Sequence, residues 1–282
     1  MSEAASLASE RRRRWRWPGR LGLAITLGIA VVVLLAPWIA PYDPAGQSLA
    51  RALEPPRAGH VFGTDELGRD ILSRVLHGGR ISLLIGLGSV AAGLLIGGCG
   101  GLLAGYRGGW IDALVMRAAD VLLVFSGFVM AVWALAILGQ GVASVIVALV
   151  ARAVPVFARV ARNTTVSLRE HAYVEAALAL GGREARILFR HVLPNLLSPL
   201  LVVAALRTGS AILLGASLSF LGLGVPPDVP EWGVMVKNGM SYLRMGATHL
   251  VLFPGLAIVA TVLGLNLLGD ELRDAWDPRQ RS

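Results

Sequence analysis

Six apolar blocks, at residues 21–40, 81–104, 114–138, 142–160, 196–221 and 250–268, divide the chain. Each is close to the ~20 helical residues that cross a hydrocarbon core. In lipid, every backbone N–H and C=O must be satisfied within the protein, so segments of this kind cross as helices. The pattern predicts an all-α integral membrane protein with six transmembrane helices. Composition agrees: 55% of the 282 residues are hydrophobic and the mean hydropathy is +0.66, too apolar for a soluble domain of this size. The third block is interrupted near its start by Arg117 and Asp120, and the fourth carries Arg152 near its middle.

Arginine placement predicts the orientation. The tail RRRRWRWPGR (residues 11–20) abuts the first block and belongs on the cytoplasmic side. Counting spans from there returns residues 152–195 to the cytoplasm, where seven arginines (152, 159, 162, 169, 183, 186, 190) face Glu170, Glu175 and Glu184. The connection 42–80 falls outside, with five arginines and five carboxylates. Both cues predict N-in, C-in. A cleaved signal peptide is the competing reading of residues 1–40, but no small-residue cleavage site follows the apolar run, and Pro37, Pro41 and Pro44 do. The expected divisions are a basic tail (1–20), a first span with its external connection (21–80), a five-helix core (81–275) containing a cytoplasmic loop (161–195), and a short tail (276–282).

Within the external connection, Leu67, Ile71, Leu72, Val75 and Leu76 recur at helical spacing. An amphipathic surface helix is expected there, capped by Thr64 or Asp65 and ended by Gly78 and Gly79. In the second span, Gly93, Gly97, Gly101 and Gly105 follow one another every four residues, a stripe that lets another helix approach backbone to backbone.

Several chemistries are missing. No G-x-x-x-x-G-K-[ST] loop is present, so the chain does not bind ATP by a P-loop. His60, His77, His171, His191 and His249 are scattered without metal-ligand spacing, and Cys99 is the single cysteine, which excludes cysteine clusters and intrachain disulfides. The net charge of +8 flanks apolar blocks instead of forming one basic face, which argues against nucleic acid. No paired carboxylates lie in a span, and no midplane charge network or inverted repeat is evident, as a self-sufficient secondary transporter or an intramembrane enzyme would need. Arg152 and Arg207 are the ionisable residues well inside the spans; both are expected within two to three helical turns of the cytoplasmic ends, where long side chains snorkel. On the face of Arg207, Ser210 and Ser217 either line a pathway or bond back to their own helix.

The cytoplasmic loop holds EAALALGGREARILFRHVLPN (residues 175–195). Glu175, Ala176, Ala177 and Ala179 belong to a run of strong helix formers, and Gly181 and Gly182 break it. A second helix is expected from Arg183 to about Val192, stopped by Pro194. This is a helix–turn–helix with a small-residue face that another protein can approach. Arg183, Arg186 and Arg190 are placed to meet acidic groups or lipid headgroups. An amphipathic loop resting on lipid would explain the arginines but not the double glycine.

The segment resembles the E-A-A-x3-G-x9-I-x-L-P motif of bacterial ABC importer permeases, with Glu175, Ala176, Ala177, Gly181, Leu193 and Pro194 in register and His191 in the isoleucine position. HVFGTDELGRDILSRVLHGGRISLLIG (60–86), SLSFLGLGVPPDVPEWGVMV (217–236) and FPGLAIVATVLGLNLLGDELRDAWDPR (253–279) are similar to segments of the C-type subunit in the oligopeptide, dipeptide and nickel branch. The chain departs from that pattern at Ser126, where relatives often carry proline, and at Gly215, where they often carry glutamate. The resemblance implies a type I importer permease in the bacterial inner membrane. It also implies a related B-type permease partner, two cytoplasmic ATPase subunits that bind ATP and Mg, and an extracytoplasmic solute-binding protein. By the same implication, the chain binds no cofactor or metal itself and is not an enzyme. Glu175, Ala176, Ala177, Gly181, Gly182, Arg183, His191, Leu193 and Pro194 would then dock on one ATPase. The implied cargo is a dipeptide or oligopeptide, with nickel or another small solute as the alternative.

Overall fold

The computed structural model describes residues 2–171 and 184–276, with side chains described from Trp17 and from Arg186 onward in the two stretches. Among the described residues the chain is helical, apart from two isolated β-bridges in the external connection. Among the described residues, five helices are long and apolar enough to cross a membrane, and a helix pair bent by 93° forms either a broken sixth span or a re-entrant loop.

Helix α1 (Ser2–Leu34) is followed by the short α2 (Ala36–Ile39). The first span therefore ends before residue 40: Pro37, in the first turn of α2, lacks an N–H and would clash with the preceding helical turn. Helix α3 (Ile71–Arg107) is capped by Asp70, whose carboxylate accepts the Ser73 N–H. This corrects the expected surface helix. Neither Thr64 nor Asp65 starts it, and it runs unbroken through Gly78 and Gly79 into the second span. Those glycines make room for other chains of atoms: a Cβ on Gly79 would lie 2.9 Å from the Trp232 ring, and one on Gly78 would lie 3.1 Å from the Pro230 carbonyl oxygen.

The third span is the second correction. Helices α4 (Gly109–Val124) and α5 (Gly127–Leu138) meet at Phe125 and Ser126, both with extended ψ, so the predicted single span 114–138 is broken. The break includes Ser126, one of the two positions where the sequence departs from the family pattern. At ~1.5 Å per residue, α5 is about 18 Å long, a half-span.

Helix α6 (Val142–Arg169) extends well beyond the predicted end at 160. After the undescribed stretch, α7 (Glu184–Ile187) passes through a π-turn (Leu188–Val192) directly into α8 (Leu193–Phe220). Pro194 therefore does not stop a helix, contrary to expectation. The π-turn pairs the Leu193 N–H with the Leu188 carbonyl, and the wider ring absorbs the donor that Pro194 lacks. Helices α9 (Trp232–Met240) and α10 (His249–Trp276) complete the chain.

The core lies where α3, α6 and α8 meet, around Ile85, Phe157, Leu196 and Leu218. The glycine stripe faces α6. A Cβ on Gly97 would lie 3.0 Å from Phe157 Cβ, one on Gly101 2.8 Å from Ala161 Cβ, and one on Gly105 2.7 Å from the Arg162 carbonyl oxygen; one on Gly93 would overlap Ala153. Helix α1 packs on α10 in the same way, with Gly264 against Ile25 and Gly22 against Leu267. Large apolar side chains such as Leu95, Trp133, Ile137 and Val259 point outward, as lipid-facing surfaces require.

Candidate functional site: a coupling face, a mid-membrane arginine pair and an external clamp

At the cytoplasmic end, α4 and α6 are joined by charge. Arg162 donates from Nε (3.0 Å) and Nη2 (2.6 Å) to the two oxygens of Asp112, and Arg159 donates to Asp120 at 2.6 Å. Two-point arginine–carboxylate pairs fix orientation as well as distance. Asp120, which interrupts the apolar block in sequence, thus has a partner on α6. Arg169, at the last turn of α6, donates to the Gly105 carbonyl at 3.3 Å and lies 5.5 Å above the Tyr106 ring. The end of α6 is thereby tied to the end of α3.

Of the predicted coupling residues, Glu175, Ala176, Ala177, Gly181, Gly182 and Arg183 lie outside the described residues. His191 sits in the π-turn, where its carbonyl accepts the Asn195 side-chain amide at 2.7 Å. Leu193 and Pro194 form the first turn of α8.

The predicted pathway residues do not gather in one place. Arg207 lines a cavity of about 20 Å³ between α3, α6 and α8, together with Arg152, Ser89 and Ala211. Ser210 and Ser217 bond back to the Leu206 and Leu213 carbonyls of their own helix, at 3.5 and 2.7 Å. Ser217 also borders a separate apolar groove of about 350 Å³ with Phe220, Gly233 and Val236. Gly215 is buried, and a Cβ there would lie 2.9 Å from Ile85, so the space for relatives' glutamate is taken by apolar packing.

Arg207 follows Leu206, which packs against Gly269 of α10, the residue before Asp270, and both arginines are partly exposed. Because α6 runs on to Arg169, Arg152 is the eleventh of its 28 residues; Arg207 is the fifteenth of 28 in α8, and Ser89 is the middle residue of the 37 in α3.

The external connection is an ordered clamp that sequence periodicity missed. Asp70 accepts from the Ser73 N–H and hydroxyl at 2.8 Å each and pairs with His60 Nδ1 at 2.9 Å. Asp65 accepts from the Leu67 and Arg69 N–H groups at 2.9 Å and from Arg69 Nε at 2.6 Å, with Arg74 Nε 3.4 Å away. Gly68, at φ +71, makes the turn between Asp65 and Asp70 possible. The legible signal is the spacing of FGTDELGRD: two aspartates five residues apart around a glycine, followed directly by a helix. On the other external segment, Glu231 caps α9 through the Val234 N–H (3.0 Å) and accepts from Ser82 (3.0 Å), while the Trp232 indole donates to the Val75 carbonyl (2.9 Å). The two external segments are thus fastened to the same first turns of α3.

A multi-pass helical bundle with an ordered external clamp defines a polytopic membrane protein. Residues 97–282 match the family described as binding-protein-dependent transport system inner membrane component, and residues 16–56 match the N-terminal TM domain of oligopeptide transport permease C. The chain is 44% identical over 277 residues to the glutathione transport system permease protein GsiD of Pectobacterium atrosepticum, covering 96% of this chain and 92% of that one. It is 41% identical over 262 residues to the dipeptide transport system permease protein DppC of Alkalihalophilus pseudofirmus, covering 93% and 86%. Among solved structures, an inward-facing MetNI methionine ABC transporter matches 73% of this chain and 98% of its own chain, with TM-score 0.58 and 22% identity, a likeness of fold. The chain belongs to the family of binding-protein-dependent transport system inner membrane components and has the type I importer permease fold.

Proposed function

We propose that the chain is the C-type membrane-spanning subunit of an ABC importer for small peptides. In this reading it pairs with a B-type permease, receives cargo from an extracytoplasmic solute-binding protein, and is driven by two cytoplasmic ATPase subunits that hold ATP and Mg. The observation that carries the reading is the placement of the E-A-A segment. Its sequence spans the connection between α6, which is tied at its end to α3 by Arg169, and the continuous helix that becomes α8. Force applied to that connection enters two long helices of the core directly. The peptide class is supported by the relatives' glutathione and dipeptide names together with 44% and 41% identity over nearly the whole chain.

Glu175, Ala176, Ala177, Gly181, Gly182 and Arg183 are the docking residues in this reading, with His191, Leu193 and Pro194 at the exit into α8. Two experiments test it. Copurification in mild detergent is expected to retain an ATPase subunit. Glu175→Lys or Gly181→Leu is expected to leave the chain in the membrane but uncouple ATP hydrolysis from uptake. Normal uptake by both variants would overturn the coupling assignment.

A further inference from the structure

Folding sorts the charges of the external side. The two external segments, residues 40–80 and 221–249, hold seven arginines or lysines and seven carboxylates, so the sequence there is neutral. The acids turn inward: Asp65, Asp70 and Glu231 are buried and Glu54 and Glu66 half-buried, which leaves Asp43 and Asp228 exposed. Each inward acid is used within the fold. Asp65 holds Arg69 and Arg74, Asp70 and Glu231 cap helices, and Glu54 and Glu66 reach Arg57 and Arg69. The cations turn outward: Arg69 and Arg74 are buried, but Arg51, Arg57, Arg80, Lys237 and Arg244 are exposed. A neutral sequence thus becomes a positive surface, with five exposed cations against two exposed acids. Membrane topology does not account for it, because topology gathers arginine and lysine on the cytoplasmic side.

The charge sits beside exposed apolar side chains on one ordered face. Leu49 and Arg51 share the 3-10 turn Leu49–Arg51, and Arg244 and Met245 share the turn Leu243–Met245. Leu49, Val61 and Met245 are 71%, 57% and 73% exposed. The two turns belong to one unit. Leu53 and Tyr242 pack on the same apolar cluster around Trp232 and Leu250, Phe62 stacks on Phe253 at 3.8 Å, and the buried His249 Nε2 lies 3.3 Å from the Thr64 carbonyl oxygen. Apolar residues set among arginines, methionine included, have the composition of a protein-binding surface.

We infer that this face, built from the clamp and the turn before α10, seats the extracytoplasmic binding protein, and that the docking surface of that protein is acidic. The inference rests on the importer reading and adds the place and the charge of one contact. The family is binding-protein-dependent, so a binding protein has to reach an importer from this side. Its landing surface on this chain is positive, and complementary potential selects a negative partner surface. Exposed charges of this kind act mainly on the rate of association and on its salt dependence, while Leu49, Val61 and Met245 supply apolar contact.

The test measures the affinity of the importer's own binding protein for the complete transporter in nanodiscs, at low and at high salt. Wild type is compared with Arg51→Glu, Arg244→Glu, Arg244→Lys and Asp43→Asn. Each Glu variant is expected to raise Kd about fivefold at low salt, chiefly through slower association, with the difference closing at high salt. Arg244→Lys is expected to bind as wild type does. Asp43→Asn removes an acid from the same face, keeps an acceptor for the Ala45 N–H, and is expected to tighten binding about twofold. Loss of structure would not tighten binding, so this variant keeps the test decisive if a Glu variant fails to fold. Kd values indifferent to all four substitutions, or weaker binding in Asp43→Asn, would overturn the inference. Nanodiscs are prepared with phosphatidylcholine alone and with added phosphatidylglycerol; variant effects confined to the anionic lipid would assign the cations to headgroups and overturn it too. A wild-type transporter that captures no binding protein under any condition fails the importer reading itself, an outcome separate from the ranking of the variants.

Discussion

Two neighbouring glycines in α3 offer a controlled test of how the core is locked. Gly101 and Gly100 sit in the same helix, so replacing either with alanine brings the same helix-propensity gain of about 1 kcal/mol. Their surroundings differ. A Cβ on Gly101 would lie 2.8 Å from Ala161 Cβ and 2.9 Å from the Ala158 carbonyl carbon, with the Ala158 oxygen closer still; the nearest atom to one on Gly100 is Val115 Cγ1 at 3.8 Å. Carbon atoms rest at about 3.5–4.0 Å, so Gly101→Ala must push α3 and α6 apart by roughly 1 Å, against backbone that cannot rotate away. Overpacking of this kind costs about 1–3 kcal/mol. The two variants should therefore differ by about that amount, a factor of roughly 5 to 150 in the folded population. Thermal unfolding of the purified protein in mild detergent, followed by circular dichroism, is expected to place Gly100→Ala at or above wild type and Gly101→Ala several degrees below it. Coincident melting of the two variants would refute the claim that α3 and α6 are locked backbone to backbone.

The ion pairs and the external clamp make separable predictions. Asp112→Asn removes a two-point bridge whose side chains are 33% and 20% exposed, and is expected to cost no more than about 1 kcal/mol in the same melting assay, an effect that shrinks as salt is raised. Asp70→Ala removes a helix cap and strands the buried His60 and Ser73; it is expected to cost about 2–4 kcal/mol, with Asp70→Asn intermediate because an amide can still cap. External trypsin should then cut after Arg57, already half exposed, faster in Asp70→Ala than in wild type.

What the sequence makes legible follows from what is local. The apolar blocks and the glycine stripe are read from hydropathy and a four-residue period; five of the six blocks appear as single long helices and the stripe lies against α6. The misreadings come from signals whose meaning depends on distant partners. Gly78 and Gly79 look like a helix end, yet they exist because Trp232, Pro230 and Val33 press against α3 there. Pro194 looks like a stop, but a π-turn accommodates it at the cost of one wider ring. The break at Phe125 and Ser126 has no proline, and the Gly127 that follows is one of 34 glycines in the chain and marks no break by itself. Arg152 and Arg207, 55 positions apart in sequence, line one cavity only once α6 and α8 are side by side.

The way α6 and α8 pack on α3 bears on how coupling would reach the core. Helix α6 cannot slide along α3, because from Gly93 to Gly105 each turn of contact puts backbone against backbone, and the Arg169–Gly105 bond closes the end. Helix α8 meets α3 at Gly86 through Ile212 and the Thr208 carbonyl, and leaves the cytoplasm through a π-turn, where a helix axis changes direction most easily. The connection 170–183 therefore joins one rigid element to one that can pivot.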